Sequence, residues 1–192
     1  MNLSHTELLS ITRDRNLFEK ISAAKNLIVS VFSEVGNQLA TVNLKEVHAT
    51  EKGIKISKGN ELRQCPYQVL DIVRDFDMNK GLNIRILHWW GRGMFLFLFF
   101  GKNHPALENL LPKKSHVHEF SVCMTDRWDY GEIIDNGKTQ HFSSIKIKEH
   151  LRIFSHLQLV KPICIAKNEA ISETLISEIT ESLTLIGSIE DK

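Results

Sequence analysis

The sequence predicts an α+β domain, an antiparallel, twisted sheet of about five to seven strands packed by long N- and C-terminal helices. Three observations carry this expectation. Near both ends of the chain, apolar residues recur at intervals of three and four, the period of a helix with one buried face. The middle holds β-branched and aromatic runs of strand length, separated by Gly, Asn and Pro, as strands and turns require. The connections between those runs are too short for the crossovers of a dozen or more residues that parallel strands need.

The 192 residues divide into a helical part over 1–43, a sheet core over 53–142 and a helical part with one edge strand over 145–187, together of single-domain length. A short helix is expected from His5 to Ile11. A long one follows, with Leu17, Ile21, Ala24, Ile28, Val31, Phe32, Val35 and Leu39 on one face. Strands are expected in "GIKIS", "YQVLDIV", "LNIRILHWW", "MFLFLFF" and "HEFSVCMT", with a short helix in "HPALENLLPK". Asp135, Asn136 and Gly137 tolerate the left-handed backbone of a tight hairpin turn. Ile147, Leu151, Phe154 and Leu157 have helical spacing. "LVKPICIA" reads as an edge strand because Pro162 cannot donate to a ladder. Asn168 is expected to cap a last helix whose stripe runs from Ile171 to Ile186.

Composition excludes several classes. With 42% hydrophobic and 24% charged residues the chain falls among globular proteins and outside the disordered class. The balance of 24 basic and 23 acidic side chains, net +1, supplies no electrostatic grip on a phosphate backbone, so no nucleic-acid partner is expected. Cys65, Cys123 and Cys164 are odd in number and contain no CxxC pair; they read as reduced thiols of a cytoplasmic protein. "MNLSHTELLSITRDRN" lacks the continuous apolar core of a signal peptide.

"HWWGRGMFLFLFF" (88–100) is apolar enough to raise the question of a membrane span. Such a span, drawn from Leu82 to Gly101 to reach the required length, would enclose Arg85, His88 and Arg92, and a central Arg costs roughly 2.5 to 3.5 kcal/mol against roughly 0.3 to 0.6 gained per Leu, Ile or Phe. A hairpin turning through Gly91, Arg92 and Gly93 avoids that cost. It places Ile84, Ile86, His88, Trp90, Met94, Leu96, Leu98 and Phe100 on one face and Arg85, Leu87, Trp89, Phe95, Phe97 and Phe99 on the other. Both faces are apolar, so both need cover, and the two long helices are the natural covers.

The polar interruptions are the candidate chemistry. Period two brings Asp71 toward Arg85 on a neighbouring strand, where the pair can bind an anion or simply satisfy two buried charges. His88 adds a titratable group. Tyr67, Trp90 and Trp128 can contact a ligand, and "DRWDYGE" (126–132) gathers Asp126, Asp129 and Glu132 beside two aromatic rings. His116 and His118 in "HVH" share one side if that segment is a strand, a geometry able to grip a metal, but no third ligand stands at a diagnostic spacing. There is no GxSxG, P-loop, HExxH or GxGxxG motif, so no catalytic signature or cofactor is legible.

The segment 58–101 resembles a family of small uncharacterised bacterial proteins of the Bacteroidota type. The matching residues are Gly59, Asn60, Pro66, Tyr67, Leu70, Asp71, Arg85, Trp89, Trp90 and Gly91. The resemblance implies a bacterial origin and a shared fold, and it carries no activity; "RGMFLFLFF" departs from it, since a more polar strand is usual there. Three functional readings follow. The first is a binding domain that takes a small molecule or protein partner on its aromatic sheet. The alternatives are a small enzyme with a site at Asp71, Arg85 and His88, and a structural homodimer.

Overall fold

A computed structural model describes residues 2–110 and 115–187; residues 111–114, which take in the end of the expected "HPALENLLPK" helix, lie outside the described residues. Helices α1 (His5–Arg13), α2 (Arg15–Leu39) and α3 (Leu44–Val47) come first. Four strands follow, β1 (Lys55–Leu62), β2 (Cys65–Arg74), β3 (Leu82–Trp89) and β4 (Gly93–Gly101). Next come α4 (Ala106–Asn109), β5 (Ser121–Cys123), β6 (Thr139–His141), α5 (Ile147–Phe154), β7 (His156–Ile163) and α6 (Ile171–Ile186). All seven strands form one antiparallel sheet, in the order β1-β2-β3-β4-β7-β5-β6.

Helix limits follow local chemistry. Ser4 and Glu7 make a reciprocal capping box at the start of α1, which satisfies backbone donors that have no partner inside the helix. The Asp14 side chain accepts from the Leu17 amide and starts α2. At the other end of the chain, the expected cap at Asn168 is not the observed one. Helix α6 begins after Ala170, which makes no side-chain cap, and ends at Gly187 with φ +91°, a conformation that costs glycine little.

The central hairpin turns one residue earlier than expected. Trp90, Gly91 and Arg92 form the loop, the Arg92 amide donates to the Trp89 carbonyl at 3.0 Å, and Trp89 pairs with Gly93. Against the expected register this is a shift of two residues. An even shift keeps every side chain on its face, so the two sets of residues named from the sequence are the sets observed.

The covers differ from expectation. Both long helices lie on the same face: Phe32, Val35 and Leu39 of α2 and Leu175, Ile179 and Leu183 of α6 join one core with Leu70, Ile84, Ile86, Leu96 and Leu98. The opposite face, with Val69, Leu87, Trp89, Phe97 and Val160, is roofed by Trp128, Tyr130, Ile133 and Ile134. These belong to the connection between β5 and β6, hereafter the flap. Asp135, Asn136 and Gly137 are thus no tight hairpin turn. A π-helical turn, Gly131–Asp135, precedes Gly137, which alone of the three has positive φ.

Pro162 does not mark an edge. Strand β7 lies inside the sheet between β4 and β5. Its pairing with β5 is confined to Leu159 and Val160, so at Pro162, which lies opposite Phe95, only β4 remains as a neighbour. The helix expected through Leu157 stops at Phe154, where Ser155 takes a left-handed conformation and turns the chain into β7.

Candidate functional site

Asp71 and Arg85 are brought together as cross-strand partners on β2 and β3. Arg85 donates from Nε to Asp71 Oδ1 at 2.7 Å and from Nη2 to Oδ2 at 3.0 Å, the two-pronged geometry of a strong charge-assisted pair. Its third nitrogen donates to the Tyr130 hydroxyl at 2.7 Å. The guanidinium lies 4.2 Å from the Trp128 ring centroid and 5.5 Å from that of Phe76. Asn83 donates to Asp71 Oδ1 at 2.9 Å and to the Val73 carbonyl at 2.8 Å, spanning the irregular register between Asp71 and Val73.

The side chains of Asp71 and Arg85 are 4% and 14% exposed. Burial opposes the charge on Arg85, but the bonds to Asp71 and the Tyr130 dipole outweigh it and hold the guanidinium above its ordinary range. Burial also pushes the Tyr130 hydroxyl up. The Arg85 guanidinium therefore stays charged, and the geometry of the network ties the flap to the sheet. Two further clasps act at the flap's rim. Arg92 reaches Asp135 at 3.1 and 3.3 Å, and Arg63 reaches Glu132 at 3.5 Å and Asp135 at 3.8 Å.

His88 does not join this network. It lies three residues beyond Arg85, hence on the helix-side face, where its Nδ1 and the Trp90 Nε1 both meet Gln68 Oε1, at 2.9 and 3.0 Å. Burial lowers its pKa. Tyr67 is half-buried and packs on the flap-side core, its ring so close to Gly59 that a Cβ there would sit 2.5 Å from Cε1. Trp128, at φ +67°, is likewise part of the flap-side packing. Tyr67 and Trp128 thus share one face, and Trp90 stands on the turn above the other.

"HVH" belongs to a 3-10 turn, Ser115–Glu119, so the strand that would have aligned His116 with His118 is not formed. His118 is exposed, and the side chain of His116 lies outside the described residues. Among the described residues no group of three or more His, Cys, Asp or Glu is arranged to hold a metal ion, and no helix is long and apolar enough to cross a membrane.

A concave site lies elsewhere. A cavity of about 810 Å³ opens between the segment after β4 and helix α5, within the size range of small-molecule sites. Leu107, Ile147 and Leu151 give it apolar walls, and Lys102, Lys146, Lys148 and Arg152 stand around it with Glu108 and Glu149. Lys146 pairs with Glu149 at 3.4 Å. Among the described residues, Lys102, Lys148 and Arg152 make no ion pair.

His104 lines this cavity from a buried position. The Ala106 amide donates to its Nδ1 at 3.2 Å. Nδ1 is therefore the acceptor, and the neutral ring carries its proton on Nε2. Burial, followed by the neighbouring His48, pushes the His104 pKa down to about 4, against a smaller opposing pull from Asp75. At neutral pH His104 is an uncharged donor fixed in one tautomer.

Beside His104 lies a second polar group, with Asp75 buried at its centre. The His48 and His104 ring centroids are 5.4 Å apart. His48 Nε2 meets Asp75 Oδ2 at 2.8 Å, and the Thr50 hydroxyl donates to the same oxygen at 2.7 Å. Burial opposes the charge on Asp75, but these bonds and the Asp77 amide win, and its carboxyl stays below its ordinary value. His48, Asp75 and His104 come from the end of α3, the end of β2 and the β4–α4 connection. No local motif joins them.

No family model, curated protein or solved structure matches the chain.

Proposed function

We propose that this is a binding domain whose site is the cavity at His104, and that its ligand is a small molecule with an apolar body and an anionic group. The expected binding surface shifts because the aromatic hairpin is core: Trp89, Phe97, Phe99 and Phe100 are fully buried. The observation that carries the reading is His104, a buried donor held in one tautomer at the wall of a cavity with apolar sides and unpaired cations around it. A neutral N–H donor recognises an anion without the desolvation cost of burying a second charge. Leu107, Ile147 and Leu151 take the apolar body, and Lys102, Lys148 and Arg152 supply the field that draws the anion in.

Calorimetric titration with octanoate and with octanol tests this. Octanoate should bind saturably and more than about tenfold tighter than octanol, the difference expected for one hydrogen bond to a charged group. His104→Asn retains an acceptor for the Ala106 amide and loses the Nε2 donor, so it should weaken octanoate by a similar factor and leave octanol unchanged. Equal affinities for the two probes, or no saturable binding of either, would overturn the proposal.

A further inference from the structure

Helix α5 forms one wall of the cavity at His104, through Ile147, Leu151 and Arg152 among others. Its own hold on the protein is slight. Of its eight residues only His150 is buried; Ile147, Leu151 and Phe154 are half-buried, and the rest are exposed. Both ring nitrogens of His150 are shut off from solvent and have no hydrogen-bond partner among the described residues. Its ring stacks on Phe154 at 4.7 Å. The other titratable group beside it is His156, at the start of β7. That ring donates from Nδ1 to the Phe154 carbonyl at 2.7 Å, which leaves Nε2 buried without a partner. Phe99 of β4 packs on it at 5.7 Å, and the charges acting on it from the flap are Arg127 and Asp126, of opposite sign. Between the two histidines Ser155, at φ +56°, turns the chain from α5 into β7.

We infer that α5 is an acid-released latch on the cavity: protonation of His150 and His156 undocks the helix about Ser155 and frees the bound ligand. The release of ligand rests on the binding reading of that cavity; the latch itself rests on α5 alone. A charged imidazole carries two donors. His150 has an acceptor for neither and His156 for only one, so a proton added to either ring is buried without compensation. Burial, then the His156 ring, lowers the pKa of His150 against a smaller pull from the His156 backbone. Burial also lowers that of His156. Once α5 is undocked, both rings return to the ordinary histidine value of about 6.5. Docking is therefore strongest above about pH 6.5 and is lost as the pH falls below it, because the undocked state binds the protons more tightly. An eight-residue helix that buries one side chain can open while the sheet stays closed.

Hydrogen exchange of the ligand-free chain reads the latch by itself. From about pH 7 to about pH 5, protection factors of the Ile147–Phe154 amides should fall about tenfold or more, while those of β3 and β4 hold. His150→Phe and His150→Leu keep an apolar side chain at the position, and each should reduce the fall by about threefold or more. Octanesulfonate, charged at both pH values, should bind the wild type about tenfold more weakly at the lower pH, and the variants should narrow that difference. Protection in α5 that tracks the sheet, or a fall undiminished in both variants, would overturn the latch. Octanesulfonate that fails to bind at about pH 7 would instead overturn the ligand reading and the release of ligand with it, while the exchange data still decide the latch.

Discussion

Arg85 and Asp71 meet edge to edge across β2 and β3, at 2.7 and 3.0 Å, and the same guanidinium donates to Tyr130 on the flap. One side chain thus joins the two layers of the flap-side core. Removing either charge leaves the other buried and uncompensated, so Asp71→Asn and Arg85→Met should each cost about 3 to 5 kcal/mol. The double replacement Asp71→Asn with Arg85→Met should cost less than the sum. Urea denaturation of the four proteins measures the coupling, and strict additivity would refute it.

The rim clasps are different, because Arg92 and Arg63 hold the flap from partly exposed positions. Arg92→Ala should leave the midpoint of thermal unfolding nearly unchanged and raise hydrogen exchange selectively at the Gly131–Asp135 amides. Exchange rising equally throughout the sheet would show that the clasp is part of the global fold.

Gly101 is enclosed by backbone. A Cβ there would lie 2.7 Å from the Asn79 carbonyl carbon and 2.8 Å from the Asp77 oxygen, and the Gly101 amide already donates to Gly81 at 2.9 Å. No flexible side chain can yield, so Gly101→Ala should cost about 3 kcal/mol. Denaturant titration checks this; a neutral result would place the Asp77–Gly81 loop differently.

Acid should destabilise the fold through His104. Its pKa falls from 6.5 to about 4 on folding, so the unfolded chain binds the proton more tightly. The stability tied to this group is complete above about pH 6.5 and is lost as the pH falls toward 4, about 3 kcal/mol over that window. His88, His150 and His156 are lowered by burial as well and add in the same direction. The wild-type stability curve should therefore fall more steeply between pH 6.5 and 4 than that of His104→Asn. Parallel curves would contradict the assignment.

The parts of the fold legible in the sequence were those with long, single-period patterns. Helix α2 was expected from Leu17 to Leu39 and runs from Arg15 to Leu39, because its stripe stays unbroken over six turns. The hairpin's faces were right although its loop was placed one residue late, since period-two alternation survives an even shift. Which face each helix covers was not legible: α2 and α6 have stripes that fit either side, and the flap's claim on the second face rests on Trp128 and Tyr130 packing from an irregular segment. The Asp71 and Arg85 pair could be found because both residues interrupt apolar strands that pair. The His48, Asp75 and His104 group could not, since its members sit at element ends and meet only through the tertiary fold.

Field and donor should be separable in the His104 cavity. Lys102→Glu and Arg152→Glu should weaken octanoate binding more at low salt than at high salt, as exposed charges are screened, while His104→Asn should weaken it equally at both. Calorimetry at two ionic strengths distinguishes the roles, and a salt-independent loss at Lys102 would assign that residue direct contact.

The most direct test of the central claim is the long-range ¹H–¹⁵N spectrum of the His104 ring, recorded at pH 7 with and without octanoate. The neutral ring should be protonated at Nε2 in the free protein, and the Nε2 proton should move downfield as octanoate saturates the cavity. A ring protonated at Nδ1, or an Nε2 resonance indifferent to saturating octanoate, would contradict it.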